Sequence, residues 1–158
     1  PGQPYSHGTP FKRAIEEGLI DTKAYVQLGI RGPTAGPQDY VDALSLGARM
    51  ITLDEFRLRS MDDVLQEVRS RVGTRPTYVT LDIDVVDPAY APGTGTPEVG
   101  GLSSYELLQL VRGLGGLNLI GFDLVEMSPP YDHSNITAIL AANLVFEFRS
   151  LLARKSTA

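Results

Sequence analysis

The chain has no cysteine. That absence removes disulfides, zinc-thiolate centres and thiol nucleophiles together, and it is compatible with any compartment. No run of apolar residues approaches the roughly 18 or more that a membrane-spanning helix needs. No signal peptide is visible at the N-terminus. An excess of positive charge is missing too. The formal net charge is −5, so there is no electrostatic case for nucleic acid or an anionic membrane. An initiator methionine is also lacking: the opening Pro1-Gly2-Gln3-Pro4-Tyr5 is loop-like, as expected of a chain entered in its middle through processing or truncation.

What is present suits one domain with a real core. The 158 residues are 42% hydrophobic and 21% charged, ordinary values for a globular chain. Strand-like stretches occur at 24–30, at 49–53, in the run Tyr78 to Asp84 and at 119–125, the last two expected to be buried. Helical periodicity appears at 10–17, 39–46, 61–72, 104–114 and from 136 to about 154. Ser60 and Asp63 resemble a capping box, and Ser103 with Glu106 is one. Expected inward positions include Tyr40, Val41 and Leu44 in the second helix. In the last helix they are Ile136, Ile139, Leu140, Leu144, Phe148 and Leu151. Strands alternating with helices argue for an α/β fold with a mainly parallel sheet and right-handed crossovers. Ligands in such sheets sit beyond the carboxyl ends of strands.

Two acidic clusters fall at such ends. The first is Asp82-Ile83-Asp84-Val85-Val86-Asp87-Pro88. Alternation along a strand would point Asp82 and Asp84 the same way. Two parallel carboxylates repel unless a cation or proton joins them, and hard divalent cations are the usual solution. The competing reading is a solvated turn cluster, because Asp-Pro is common in turns. The second cluster is Asp123 and Glu126, after an apolar strand. One carboxylate could bind a cationic group while the other braces the loop; a structural salt bridge to an arginine is equally open. His7, just before a helix start, has a pKa range suited to proton transfer, although a surface histidine is the commoner outcome. His133, in a polar loop, reads as solvent-exposed. The loop 91–98 lacks the Lys-Ser/Thr of a P-loop and the spacing of a dinucleotide fingerprint. Its glycines would let backbone approach a small ligand or metal site.

The block Asp82 to Glu98, from Asp-Ile-Asp-Val-Val-Asp-Pro to Thr-Gly-Thr-Pro-Glu, resembles the signature of the ureohydrolases, the arginase and agmatinase enzymes, and is closer to agmatinase. The segments 5–11, 17–21, 28–32, 121–126, 128–132 and 141–144 fit the same family, so the resemblance covers essentially the whole chain. It implies a three-layer α/β/α arginase-like fold, here only the C-terminal part of a single domain spanning residues 1–158. The implied activity is hydrolysis of a guanidino compound such as agmatine to urea and an amine such as putrescine, as in polyamine biosynthesis. Two Mn2+ ions per intact site would bind the attacking water. By this resemblance Asp82 and Asp84 are metal ligands, and Glu126 binds the guanidinium. His7 shuttles protons in the substrate channel, Thr96 lies close to the guanidinium, and Asp87 and Asp123 support the site.

The family also has two histidine-containing metal motifs upstream of the His7 segment, and neither is in this chain, whose only histidines are His7 and His133. The isolated chain is therefore expected to be inactive. The expected partners are a small guanidino substrate and further copies in a trimer or hexamer, with no nucleic acid and no membrane. The expected location is cytoplasmic. The alternatives are a ureohydrolase acting on a guanidino acid such as guanidinobutyrate, and a truncated, non-catalytic domain. Arg31, in a Gly/Pro-rich loop, is either a partner for a substrate carboxylate or a structural arginine.

Overall fold

The computed structural model describes residues 5–33, 36 and 38–155. The expected loop over 1–4 and part of the loop after Arg31 lie outside the described residues. Four strands and six α-helices alternate: α1 (Pro10–Glu16), β1 (Val26–Ile30), α2 (Gln38–Ser45), β2 (Arg49–Thr52), α3 (Leu53–Arg57), α4 (Met61–Val72), β3 (Thr77–Asp82), α5 (Ser104–Gly113), β4 (Leu119–Val125) and α6 (Ile136–Lys155). Among these strands the hydrogen bonds form two parallel pairs, β1 with β2 and β3 with β4. The α/β class with parallel strands is thus the observed one.

Local chemistry explains most of the boundaries. The Ser60 hydroxyl accepts the Asp63 N–H and starts α4, and Gly73 ends it with φ at 63°, a conformation glycine adopts without a Cβ penalty. Ser103 and Glu106 form a full capping box at the head of α5. The sequence reading did not find helix α3, although Thr52-Leu53-Asp54-Glu55 has the spacing of a capping box. Its five residues are too few for periodicity, and the Thr52 side chain caps it by accepting the Glu55 N–H.

A main core joins most of the elements, and a second cluster gathers Val68, Val72, Leu117 and Leu119. Ile51 of β2, Leu53 and Phe56 of α3, Val64 of α4, Leu81 of β3, Leu107 and Val111 of α5, and Leu140, Leu144 and Phe148 of α6 are all buried in the main core. Phe148 stacks on Phe122 of β4, with ring centroids 4.8 Å apart. The helix α6 rests on β4 and α5. By length and composition α6 could cross a membrane, which corrects the reading that no apolar stretch approaches that length. One face of it, with Thr137, Leu140, Leu144 and Phe148, is buried against the rest of the fold, while Ile139 and Phe146 are exposed.

Several expected burials fail, for one physical reason. Helices α4, α5 and α6 cover one face of the β3–β4 pair, while the other face is open among the described residues. On β3, Tyr78, Thr80 and Asp82 alternate outward and are exposed. On β4, Ile120 and Val125 are exposed as well. Neither strand is buried on both faces, contrary to the sequence reading. Val41 and Leu44 of α2 and Ile136 and Ile139 of α6 are also exposed. Apolar periodicity identifies the helix in each case, but only a facing element can bury its stripe.

Candidate functional site

Strands β3 and β4 run parallel, so their acidic exits emerge at one edge. The register sets Thr80 beside Asp123 and Asp82 beside Val125. The strand ends at Asp82, and Ile83–Val85 is a single 3-10 turn. Asp84 is therefore not two strand positions beyond Asp82, and strand alternation does not place it. A turn does: the Asp84 N–H donates to Asp82 Oδ1 at 3.1 Å, which keeps the two residues together while Ile83 is buried in the core.

Glu126 follows β4 with φ at 62°. A non-glycine residue rarely adopts this conformation, and holding it there costs about 1–3 kcal/mol. The bend leaves its charge close enough to act on Asp82. Although Asp82 is exposed on the open face, loss of water around its carboxyl pushes its pKa up, to about 6. Repulsion from Asp84 and Glu126 adds to that rise, against the lowering effect of the Asp84 N–H. Among the described residues no ion pair involves Asp82, Asp84, Asp123 or Glu126. The salt-bridge reading of Asp123 and Glu126 thus finds no arginine. The charges of Asp84 and Glu126 repel that of Asp82, and no ion pair offsets them among the described residues, so this edge is negative and uncompensated.

The surrounding residues have distinct tasks. The Thr96 hydroxyl donates to Asp84 Oδ2 at 3.2 Å, which brings the glycine-rich loop to the strand ends. Asp87 turns inward on its own loop and accepts the N–H groups of Ala89, Gly100 and Gly101. The Ala89 bond is the first cause that holds its carboxyl below the usual aspartate range. Asp123 Oδ2 accepts the Tyr78 hydroxyl at 3.1 Å, while its Oδ1 is buried without a hydrogen-bond partner. His7 is exposed in the turn before α1, and among the described residues no hydrogen bond joins it to Asp82, Asp84, Thr96 or Glu126. His133 is exposed in a turn ahead of α6.

The loop 91–98 is fixed from behind. The Gly93 N–H donates to the Thr137 hydroxyl at 2.8 Å, and the Gly93 carbonyl accepts the Ser128 N–H at 2.8 Å. Thr94 pairs antiparallel with Met127, next to Glu126. Sequence reasoning did not find Thr137. The signal was there in Asp132, whose side chain accepts the N–H groups of Thr137 and Ala138 and so caps the start of α6.

Asp82 and Asp84 offer hard oxygen donors of the kind Mn2+ takes. Among the described residues, however, no group of three or more His, Asp or Glu side chains could hold a metal ion. The two aspartates fit part of a metal site and do not complete one.

Known proteins show the same arrangement of sequence and fold. The arginase family profile matches residues 1–150. Guanidinopropionase of Pseudomonas aeruginosa is 52% identical over 153 residues, covering 97% of this chain and 48% of the relative. Agmatinase of Serratia proteamaculans is 47% identical over 156 residues, 99% of this chain and 48% of the relative. The solved structure of proclavaminate amidino hydrolase from Streptomyces clavuligerus superposes with a TM-score of 0.90 at 50% identity, covering 98% of this chain and 51% of that one. The chain spans about half the length of the relatives it matches.

Proposed function

Because the chain belongs to the arginase family and carries its α/β fold, we propose that it forms the C-terminal part of a ureohydrolase domain. The intact protein would be an amidinohydrolase that splits a guanidino compound into urea and an amine. The observation that supports this reading is the uncompensated carboxylate edge of Asp82, Asp84 and Glu126, with Thr96 bonded to Asp84. A guanidinium carbon is a poor electrophile and neutral water a poor nucleophile. A pair of Mn2+ ions supplies an activated, oriented water when bound. In this reading Asp82 and Asp84 hold metal, and the remaining ligands come from residues outside these 158. Glu126 pairs with the substrate guanidinium as a carboxylate partner. Thr96 orients that end against Asp84. His7 moves protons in the substrate channel, and Asp87 and Asp123 hold the loops and strands that carry these groups. The proposed assembly is a homo-oligomer in the cytoplasm.

Agmatine is the proposed substrate. A guanidino acid is the alternative substrate, and the relatives span both classes: guanidinopropionase at 52%, agmatinase at 47% and guanidinobutyrase at 44% identity. The incomplete donor set supports the expectation that the isolated chain releases no urea.

Electron paramagnetic resonance of Mn2+ titrated into the purified chain tests the site. Weak binding is expected, reduced at least tenfold in both Asp82→Asn and Asp84→Asn. Binding that survives both substitutions would place the metal elsewhere. Urea release from agmatine, guanidinopropionate and guanidinobutyrate by the protein that carries this chain then separates the substrates. Stoichiometric binding of two Mn2+ with urea release by the 158-residue chain alone would overturn the half-site reading.

A further inference from the structure

Arg31 stands at the exit of β1, and among the described residues it meets no carboxylate by hydrogen bond. Its guanidinium donates instead to four main-chain carbonyls. Nη2 reaches the oxygens of Asp84 at 2.5 Å, Glu98 at 2.6 Å and Val86 at 3.4 Å, and Nε reaches that of Val99 at 3.2 Å. Two acceptors lie on the turn that carries Asp84, and two lie just after Thr96. A planar fork with several fixed donors can hold two chain segments at one spacing.

The neighbours of Arg31 are fitted to this approach. Gly29 has φ at 90°, and a Cβ there would meet Val85 Cγ2 at 2.5 Å. Gly32 has φ at 82°, and a Cβ there would meet the Glu98 side chain at 2.8 Å. Both glycines let β1 close onto the same two segments. The charge of Arg31 also acts on Asp87, whose carboxylate accepts the Gly100 and Gly101 N–H groups. One arginine therefore ties the Asp84 turn to the Thr96 loop from the side of β1, while the Thr96–Asp84 hydrogen bond closes the contact on the other side.

We propose that Arg31 is a positioning residue, a clamp that fixes the Asp84 carboxylate against the Thr96 hydroxyl by binding the backbone of both segments. The consequence for metal rests on the reading of Asp84 as a ligand.

Hydrogen exchange and Mn2+ titration of the 158-residue chain test the clamp, with Arg31→Met, Arg31→Lys and, as control, Arg69→Met. The control removes a guanidinium that bonds the distant Gly113 carbonyl. All variants are compared under conditions where each is folded. In Arg31→Met the amides of Val86, Asp87, Gly100, Gly101 and Leu102 should exchange at least tenfold faster, and Mn2+ affinity should fall about tenfold. Arg31→Lys should recover part of both, since an ammonium reaches fewer carbonyls, and Arg69→Met should change neither. Unchanged exchange in both segments of Arg31→Met overturns the clamp. Faster exchange with unchanged Mn2+ affinity reduces Arg31 to a structural residue and overturns the positioning role. A wild-type chain that binds no Mn2+ sinks the metal reading instead, and the exchange rates alone then decide the clamp.

Discussion

Replacing Thr137 by valine tests how the glycine-rich loop is anchored. Thr137 is fully buried. Its hydroxyl accepts the Gly93 N–H at 2.8 Å, and Gly93 is itself buried. Valine keeps the shape and removes the acceptor, so a buried N–H is left without a partner. That orphaned donor costs about 1–3 kcal/mol. Serine keeps the hydroxyl and loses one methyl, worth about 0.8 kcal/mol before any cavity. Thr137→Val should therefore be the less stable of the two, although it conserves volume better. Urea denaturation of the purified chain measures the difference, and a thermal melt should shift by about 2–4 °C per kcal/mol. Exchange of the Gly93 amide locates the loss: it should quicken in the valine variant and stay slow in the serine variant. If Thr137→Val is as stable as the parent chain, or more stable than Thr137→Ser, packing rather than the hydrogen bond holds this loop, and the anchoring argument fails.

Two further outcomes follow from the packing and the charges. A Cβ on Gly101 would lie 2.3 Å from Asp87 N and 2.5 Å from Val86 C, both main-chain atoms that cannot swing away. Gly101→Ala should cost about 1–3 kcal/mol or more, whereas Gly95→Ala, which meets nothing within 4 Å, should stay within about 0.5 kcal/mol; equal denaturation midpoints would contradict this. Arg49 and Arg59 each bond both Glu55 and Glu67, and hydrogen bonds from Arg49 are the first cause lowering the pKa of each carboxyl from its ordinary value near 4.5. A carboxylate depressed in the folded state stabilises the fold above its unfolded pKa and loses that contribution as pH falls through the folded one. Stability should therefore drop below about pH 4.5, and the double variant Glu55→Gln/Glu67→Gln should flatten that drop in a pH series of urea midpoints. Parallel curves for the two proteins would show that the network does not supply the acid sensitivity.

The amino-acid sequence alone determined the alternation of strands and helices, the caps at Ser60 and Ser103, the glycine stop at 73 and the acidic exits after 82 and 123. These depend on neighbours a few residues apart, where periodicity, side-chain caps and turn chemistry act. The family was legible for the same reason, in the contiguous block from Asp82 to Glu98. Tertiary structure decided the rest. It ended β3 at Asp82 and handed Asp84 to a 3-10 turn, so that a main-chain bond, not strand alternation, joins the two carboxylates. It chose between the two readings of Arg31, making it the structural arginine, a donor to carbonyls 53 to 68 residues away. It left the stripes at Val41, Leu44, Ile136 and Ile139 exposed. Whether an apolar stripe is covered, and which distant carbonyl a guanidinium meets, depends on elements brought together from across the chain, and no local pattern carries that information.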